Sequence, residues 1–304
     1  MRRHLIAGLL LAMAAAPLQA QLVSQVRSAI NAGDFARGEA LIAGYRAQRG
    51  ATPEMILALS WLGRGALAAK NYESAARYAE ETRELALKSL QSRELDAEPD
   101  LPLALGASFE VTAHSLAATG RRSEAVAFLN EQIRTYWNTS IRTRTQKNIN
   151  LLSLEGEPAI PVQASEFVGK RPAGLAQFKG RPVILFLWAH WCSDCKAQGP
   201  VLEQILSRYS GRKLALLGVT QRYGYAAGCE DATPAEELRY IESIRQRFYD
   251  RVLPGSFVSE ETFRKYGAST TPTLVLVDAQ GIVRMYHPGK MTAEELSAAI
   301  DRLP

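Results

Sequence analysis

The stretch Val183 to Pro200, VILFLWAHWCSDCKAQGP, constrains this chain more than any other. Val183 to Trp188 is an unbroken apolar run, too short for a typical globular helix and right for a strand buried on both faces. Cys192 and Cys195 follow in a Cys-x-x-Cys spacing, with Lys196, Ala197 and Gln198 at positions a helix can use. A helix that opens at such a pair offers unpaired backbone N–H groups and the positive end of its dipole to the first sulfur. Both favour a thiolate over a thiol. The spacing lets the second sulfur close on the first with little backbone movement, so the pair reads as a redox-active dithiol.

These residues resemble the active-site strand and helix of the thioredoxin superfamily. Trp191 and Trp188 match its two aromatics, and Pro200 matches the proline inside its active-site helix. The family's other half is a cis-proline facing the dithiol. Thr271-Pro272, ahead of the apolar run Leu274 to Val277, supplies the candidate about 80 residues further on. Leu175-x-x-Phe178-Lys179-Gly180-Arg181-Pro182-Val183 is similar to the lead-in of the exported TlpA and ResA type of thiol–disulfide oxidoreductase. The resemblance runs from about Pro158 to Leu303. It implies an α/β thioredoxin-like fold over 158–304, with strands at Leu214 to Val219, Leu274 to Val277 and Ile282 to Tyr286. Helices are expected from Pro234 to Phe248, in a segment longer than a minimal thioredoxin needs, and from Thr292 to Leu303.

The competing reading of the cysteines is a metal site or an inert disulfide. Zinc needs a second pair of ligands at comparable spacing. The third cysteine, Cys229, is single, and His4, His114, His190 and His287 are scattered, so redox chemistry is favoured. No metal or organic cofactor is implied.

Residues 1–20 read as a targeting segment: Arg2-Arg3, an apolar run from Leu5 to Ala16, and Ala20 before a cut. An uncleaved anchor is the alternative. A periplasmic or secreted location follows, where disulfides persist. The formal charge of +5 falls by two without Arg2 and Arg3 and is too mild to argue for nucleic acid.

Residues 22–152 are alanine-rich and helical in pattern. Gly33-Asp34-Phe35, Lys70-Asn71-Tyr72 and Gly120-Arg121-Arg122 are turn signatures, each followed by a small residue (Gly38, Ala75, Ala125) where paired helices approach. Their intervals are 37 and 50 residues, with the polar insert Ser92 to Pro102 accounting for the excess. This looks like a degenerate all-α tetratricopeptide-type array of helical hairpins, a surface for a protein partner. Glu155 to Pro161 is the expected seam.

The reading is therefore a two-domain exported protein-disulfide oxidoreductase, working more as a reductase. Cys192 attacks a client disulfide, Cys195 resolves the mixed disulfide, and Thr271 and Pro272 form the docking wall. Trp191, Asp194 and Lys196 support the pair, and an upstream thiol donor recharges it. A redox-sensing, client-binding protein with little turnover is the alternative, and peroxide reduction is weaker still. Three departures bear on mechanism. Phe186 stands six residues before Cys192 where thioredoxins keep a buried acid, and Gln198 replaces an acid of the ResA type. Asp194 puts a negative charge between the cysteines. His190 reads as an exposed strand-end residue more readily than as a partner of the thiolate, and Cys229 as a loop thiol without a catalytic part.

Overall fold

The computed structural model describes residues 19–304. Most of the expected targeting segment lies outside the described residues. The chain forms two compact units, one ending at Val111 and one running from Thr112 to Pro304.

The first unit is helical: α1 (Gln19–Asn31), α2 (Phe35–Arg49), α3 (Pro53–Ala68), α4 (Tyr72–Ser89) and the start of α5 (Asp100–Ala118), within which the division falls. Its turns follow one recipe. Gly33 takes a φ of +76° and Lys70 a φ of +58°, and the next amide reaches back five residues, Asp34 N to Ala29 O and Asn71 N to Ala66 O, both at 2.9 Å. The Asp34 and Asn71 side chains then cap the following helix by accepting from Arg37 N and Ser74 N. Gly120, with φ +84°, repeats the turn between α5 and α6 (Arg122–Thr135), where Arg121 N bonds Leu116 O at 2.8 Å. The small residues after these turns are buried as expected; a methyl group on Gly38 would sit 2.9 Å from Leu62 Cδ2. The recurrence is one of turns. Of the aromatics in this region, Tyr78 is core, with its hydroxyl bonded to Glu39.

The second unit holds α6, α7 (Arg142–Ser153) and a six-stranded sheet ordered β1-β4-β3-β2-β5-β6. The strands are β1 (Glu166–Gly169), β2 (Val183–Leu187), β3 (Ala215–Thr220), β4 (Gly255–Val258), β5 (Thr273–Val277) and β6 (Val283–Pro288). The helices among them are α8 (Ser193–Arg208), α9 (Pro234–Tyr249), α10 (Glu260–Lys265) and α11 (Ala293–Asp301). β2 runs parallel to β3 and antiparallel to β5, and all five of its residues are buried. Its side chains alternate between two cores. Ile184, Phe186 and Trp188 join residues of α8, α9 and α11, whereas Val183, Leu185 and Leu187 join Phe178, Phe263 and Tyr266 on the opposite face. That two-sided burial is why the sequence here runs apolar without alternation.

The segment expected as the seam is hydrogen-bonded. Gly156 N donates to Val283 O at 2.8 Å, Val283 N to Glu157 O at 2.9 Å, and Ala159 N to Gly281 O at 2.9 Å, so the segment pairs along β6. α7 is held in the same unit: Asn150 Nδ2 donates to Lys265 O at 3.1 Å, and Leu154 enters the core beneath the sheet.

Candidate active site

Cys192 and Cys195 stand where β2 gives way to α8. Trp188 N continues the ladder to Val219 O at 3.0 Å, the chain turns through Ala189 to Trp191, and α8 opens with Cys192 as its cap. The two cysteines are joined as a disulfide, with Cα atoms 5.2 Å apart. Cys195 N donates to Cys192 Sγ at 3.0 Å. The helix thus aims an N–H at the first sulfur, and on reduction that contact becomes a charge-assisted bond to a thiolate. Cys195 is wholly enclosed and Cys192 is 3% exposed, while Trp191 beside it is 47% exposed.

The Thr271–Pro272 bond is cis, and Thr271 O lies 3.3 Å from Cys192 Sγ. A third segment closes the site. Gly289 N donates to Pro272 O at 2.7 Å. Gln198, buried on α8, donates to Met291 O at 3.1 Å and accepts from Met291 N at 2.8 Å. The glutamine that replaces a ResA-type acid is therefore a clamp between α8 and the turn before α11. Between those anchors Lys290 reaches Asp194, Nζ to Oδ1 at 2.9 Å, on an exposed surface. That partner, 96 residues away, left no local signal in the sequence.

Lys196, in the first turn of α8, has its ammonium 5.5 Å from the centre of the Phe248 ring. Phe186 belongs to the apolar core, edge-on to Tyr249 at 5.5 Å. Trp188 is likewise buried, and its indole N–H donates to Ser256 Oγ at 2.9 Å. Cys229 is a free, exposed thiol with φ +61°.

His190 is the clear correction. The strand-end reading made it exposed; it is fully buried, and its Nε2 meets Glu237 Oε1 at 3.1 Å. Glu237 comes from α9 and is itself buried, accepting also from Tyr223 N and, at 3.0 Å, from Gly224 N. A carboxylate only accepts, so Nε2 carries the imidazole proton and Nδ1 is a bare acceptor. Nδ1 has no hydrogen-bond partner among the described residues. Burial pushes the His190 pKa below its ordinary value, with Glu237 opposing the fall and Lys196 adding to it. A carboxylate does reach toward the turn before Cys192, then, from an element the family pattern did not point to.

Residues 173–304 match the model of the thioredoxin-like domain. The carboxy-terminal part of the chain is a thioredoxin-like domain. A thioredoxin-like protein YneN of Bacillus subtilis is 26% identical over 167 residues, covering 55% of this chain and 89% of the relative. A thiol-disulfide oxidoreductase ResA of Bacillus thuringiensis is 22% identical over 148 residues, 49% of this chain and 78% of the relative. A thiol:disulfide interchange protein DsbE of Xylella fastidiosa is 27% identical over 115 residues, 38% of this chain and only 51% of the relative. Among solved structures, a thiol-disulfide isomerase of Corynebacterium glutamicum superposes with a TM-score of 0.40 at 15% identity, covering 49% of this chain and 96% of that one. The thioredoxin-like domain of this protein thus carries a Cys-x-x-Cys and has relatives named as thiol–disulfide oxidoreductases.

Proposed function

We propose that the protein exchanges disulfides with client proteins through Cys192 and Cys195, acting as a reductase outside the cytoplasm. The observation that carries this reading is the asymmetry of the pair. Cys192 caps α8 and receives the Cys195 amide, while Cys195 is sealed beneath it. In the reduced protein, the Cys192 thiolate attacks one sulfur of a client disulfide. The client's other sulfur leaves as a thiolate, and Cys192 is left in a mixed disulfide. Cys195 then gives up its proton and attacks Cys192 Sγ, expelling the second client sulfur. Two electrons pass to the client, and the Cys192–Cys195 disulfide is the oxidised product. An upstream thiol donor reverses that last change. Thr271 and Pro272 form the wall against which a client strand docks, and Trp191 offers an exposed aromatic beside the sulfur. The relatives' names support disulfide exchange, the ResA-type lead-in from Leu175 to Val183 motivates the direction, and the amino-terminal targeting pattern supports the location; no described helix is long and apolar enough to cross a membrane.

Trapping tests the assignment. Cys195→Ser is expected to accumulate clients as mixed disulfides, and Cys192→Ser to hold almost none; equal trapping by both variants overturns it. Equilibration with glutathione tests the direction. A potential near about −270 mV fits a reductase, and one near about −120 mV an oxidant.

A further inference from the structure

The segment between β3 and β4 is longer than the sheet requires, and its contents converge on the turn that leads into the dithiol. Tyr223 and Tyr225, which follow β3, and Tyr240, from α9, place their rings edge-on around His190, with centroids 5.4, 5.4 and 5.3 Å away. Glu237 fills the remaining polar position of this enclosure and ties it together by accepting from the backbone of Tyr223 and Gly224 as well as from His190. Tyr223 in turn meets the exposed Trp191 at 5.5 Å, edge to face. His190 is two residues from Cys192, so their Cα atoms lie within about 7 Å. Burying a carboxylate costs desolvation that its hydrogen bonds offset only in part, and an apolar pair of similar volume is often as stabilising.

We propose that Glu237, acting through His190, is a positioning residue for the dithiol. It fixes the turn presenting Trp191 and Cys192 and places a buried negative charge behind the sulfur, so that α9 sets how readily the dithiol releases electrons. This rests on the thiol–disulfide exchange proposed above. The sign follows from electrostatics. A negative charge behind Cys192 disfavours its thiolate, which disfavours the reduced form and makes the pair a stronger reductant. The charged groups that act on His190 are Glu237 and Lys196, and the rings of Tyr223, Tyr225 and Tyr240 face it without charge.

The test is titration of Cys192 by thiolate absorbance in the full chain, wild type against Glu237→Gln, with the thiol–glutathione equilibrium measured on the same samples. Glu237→Gln is expected to raise the acid dissociation constant of Cys192 by about threefold or more and to shift the equilibrium toward the dithiol. Glu237→Asp, which keeps the charge, should move both less. Thr233→Ala, which weakens the start of α9 and leaves Glu237 in place, should lower stability without moving either. Titration of Glu237→Gln that coincides with wild type overturns the proposal. Should that variant fail to fold, the ring ¹⁵N resonances of His190 decide the matter in the wild-type protein. They are expected to shift with the ionisation of Cys192, and the shift to vanish in Cys192→Ala; resonances indifferent to that ionisation overturn it. Failure of the exchange reading shows instead as a wild-type protein that does not turn over disulfides, whatever His190 does.

Discussion

Asp194 illustrates how a single residue's meaning depends on a partner the local sequence does not show. Between the cysteines its charge opposes a neighbouring thiolate, but Lys290 stands against it at 2.9 Å. Both side chains are more than half exposed, so solvent screens the pair and its net effect is small. Asp194→Asn is expected to lower the Cys192 pKa, because the repulsion goes and the Lys290 cation stays. Lys290→Met is expected to raise it, and the double variant to return close to wild type. Each shift should be less than about one unit, the mark of an exposed charge. Thiolate absorbance of the three variants checks this, and a raised pKa in Asp194→Asn would show that Lys290 dominates Cys192 only through Asp194. Gln198 teaches the same lesson: beside the family pattern it is a missing acid, while in the fold both ends of its amide hold the Met291 backbone.

At the scale of elements, the regular signals in the sequence were those with a local cause. The apolar run of β2, the capping box at Thr292, and the hairpin of β5 and β6 each follow from residues within one turn or one strand of each other. The helical turns belong here too. Lys70 occupies the left-handed position that Gly33 and Gly120 fill in the sister turns, and a side chain there is strained. Lys70→Gly is expected to stabilise the first unit by about 0.5–1 kcal/mol. Urea unfolding followed by circular dichroism checks it, with an unchanged or lower midpoint as the contrary outcome. The Cys-x-x-Cys and Thr271-Pro272 stood out because they form two halves of one motif, each carried by adjacent residues. His190 did not. One histidine at a strand end carries no sign of burial, because Glu237 is 47 residues away and the tyrosines that enclose it sit in a segment without periodicity of its own. Glu155 to Pro161 was ambiguous for a related reason, since proline and small residues suit an interdomain seam and an irregular segment bridged to a sheet edge alike.

On the scale of the whole molecule, the unit that carries the dithiol is larger than its sheet and flanking helices, because α7 packs into it. Gly267, with φ +60°, lies where an added methyl group would meet Lys147 N at 2.2 Å, and the neighbour is backbone that cannot step aside. Gly267→Ala is expected to cost about 2 kcal/mol or more, combining a strained φ with an overpacked contact. Thermal unfolding of the full chain checks it; a melting temperature within a degree of wild type would mean that α7 is not held there. The site itself is a meeting of three distant stretches: Cys192 against Thr271 at a separation of 79 residues, and Gln198 against Met291 at 93. Read along the time axis of synthesis, the thiols appear well before their surroundings. At about 5–20 residues per second, Pro272 emerges roughly 4–16 seconds after Cys192, and the clamp on Gln198 later still. Throughout that interval the chain carries a Cys-x-x-Cys with neither the Thr271 carbonyl nor the Met291 backbone yet made, the contacts that later hold it.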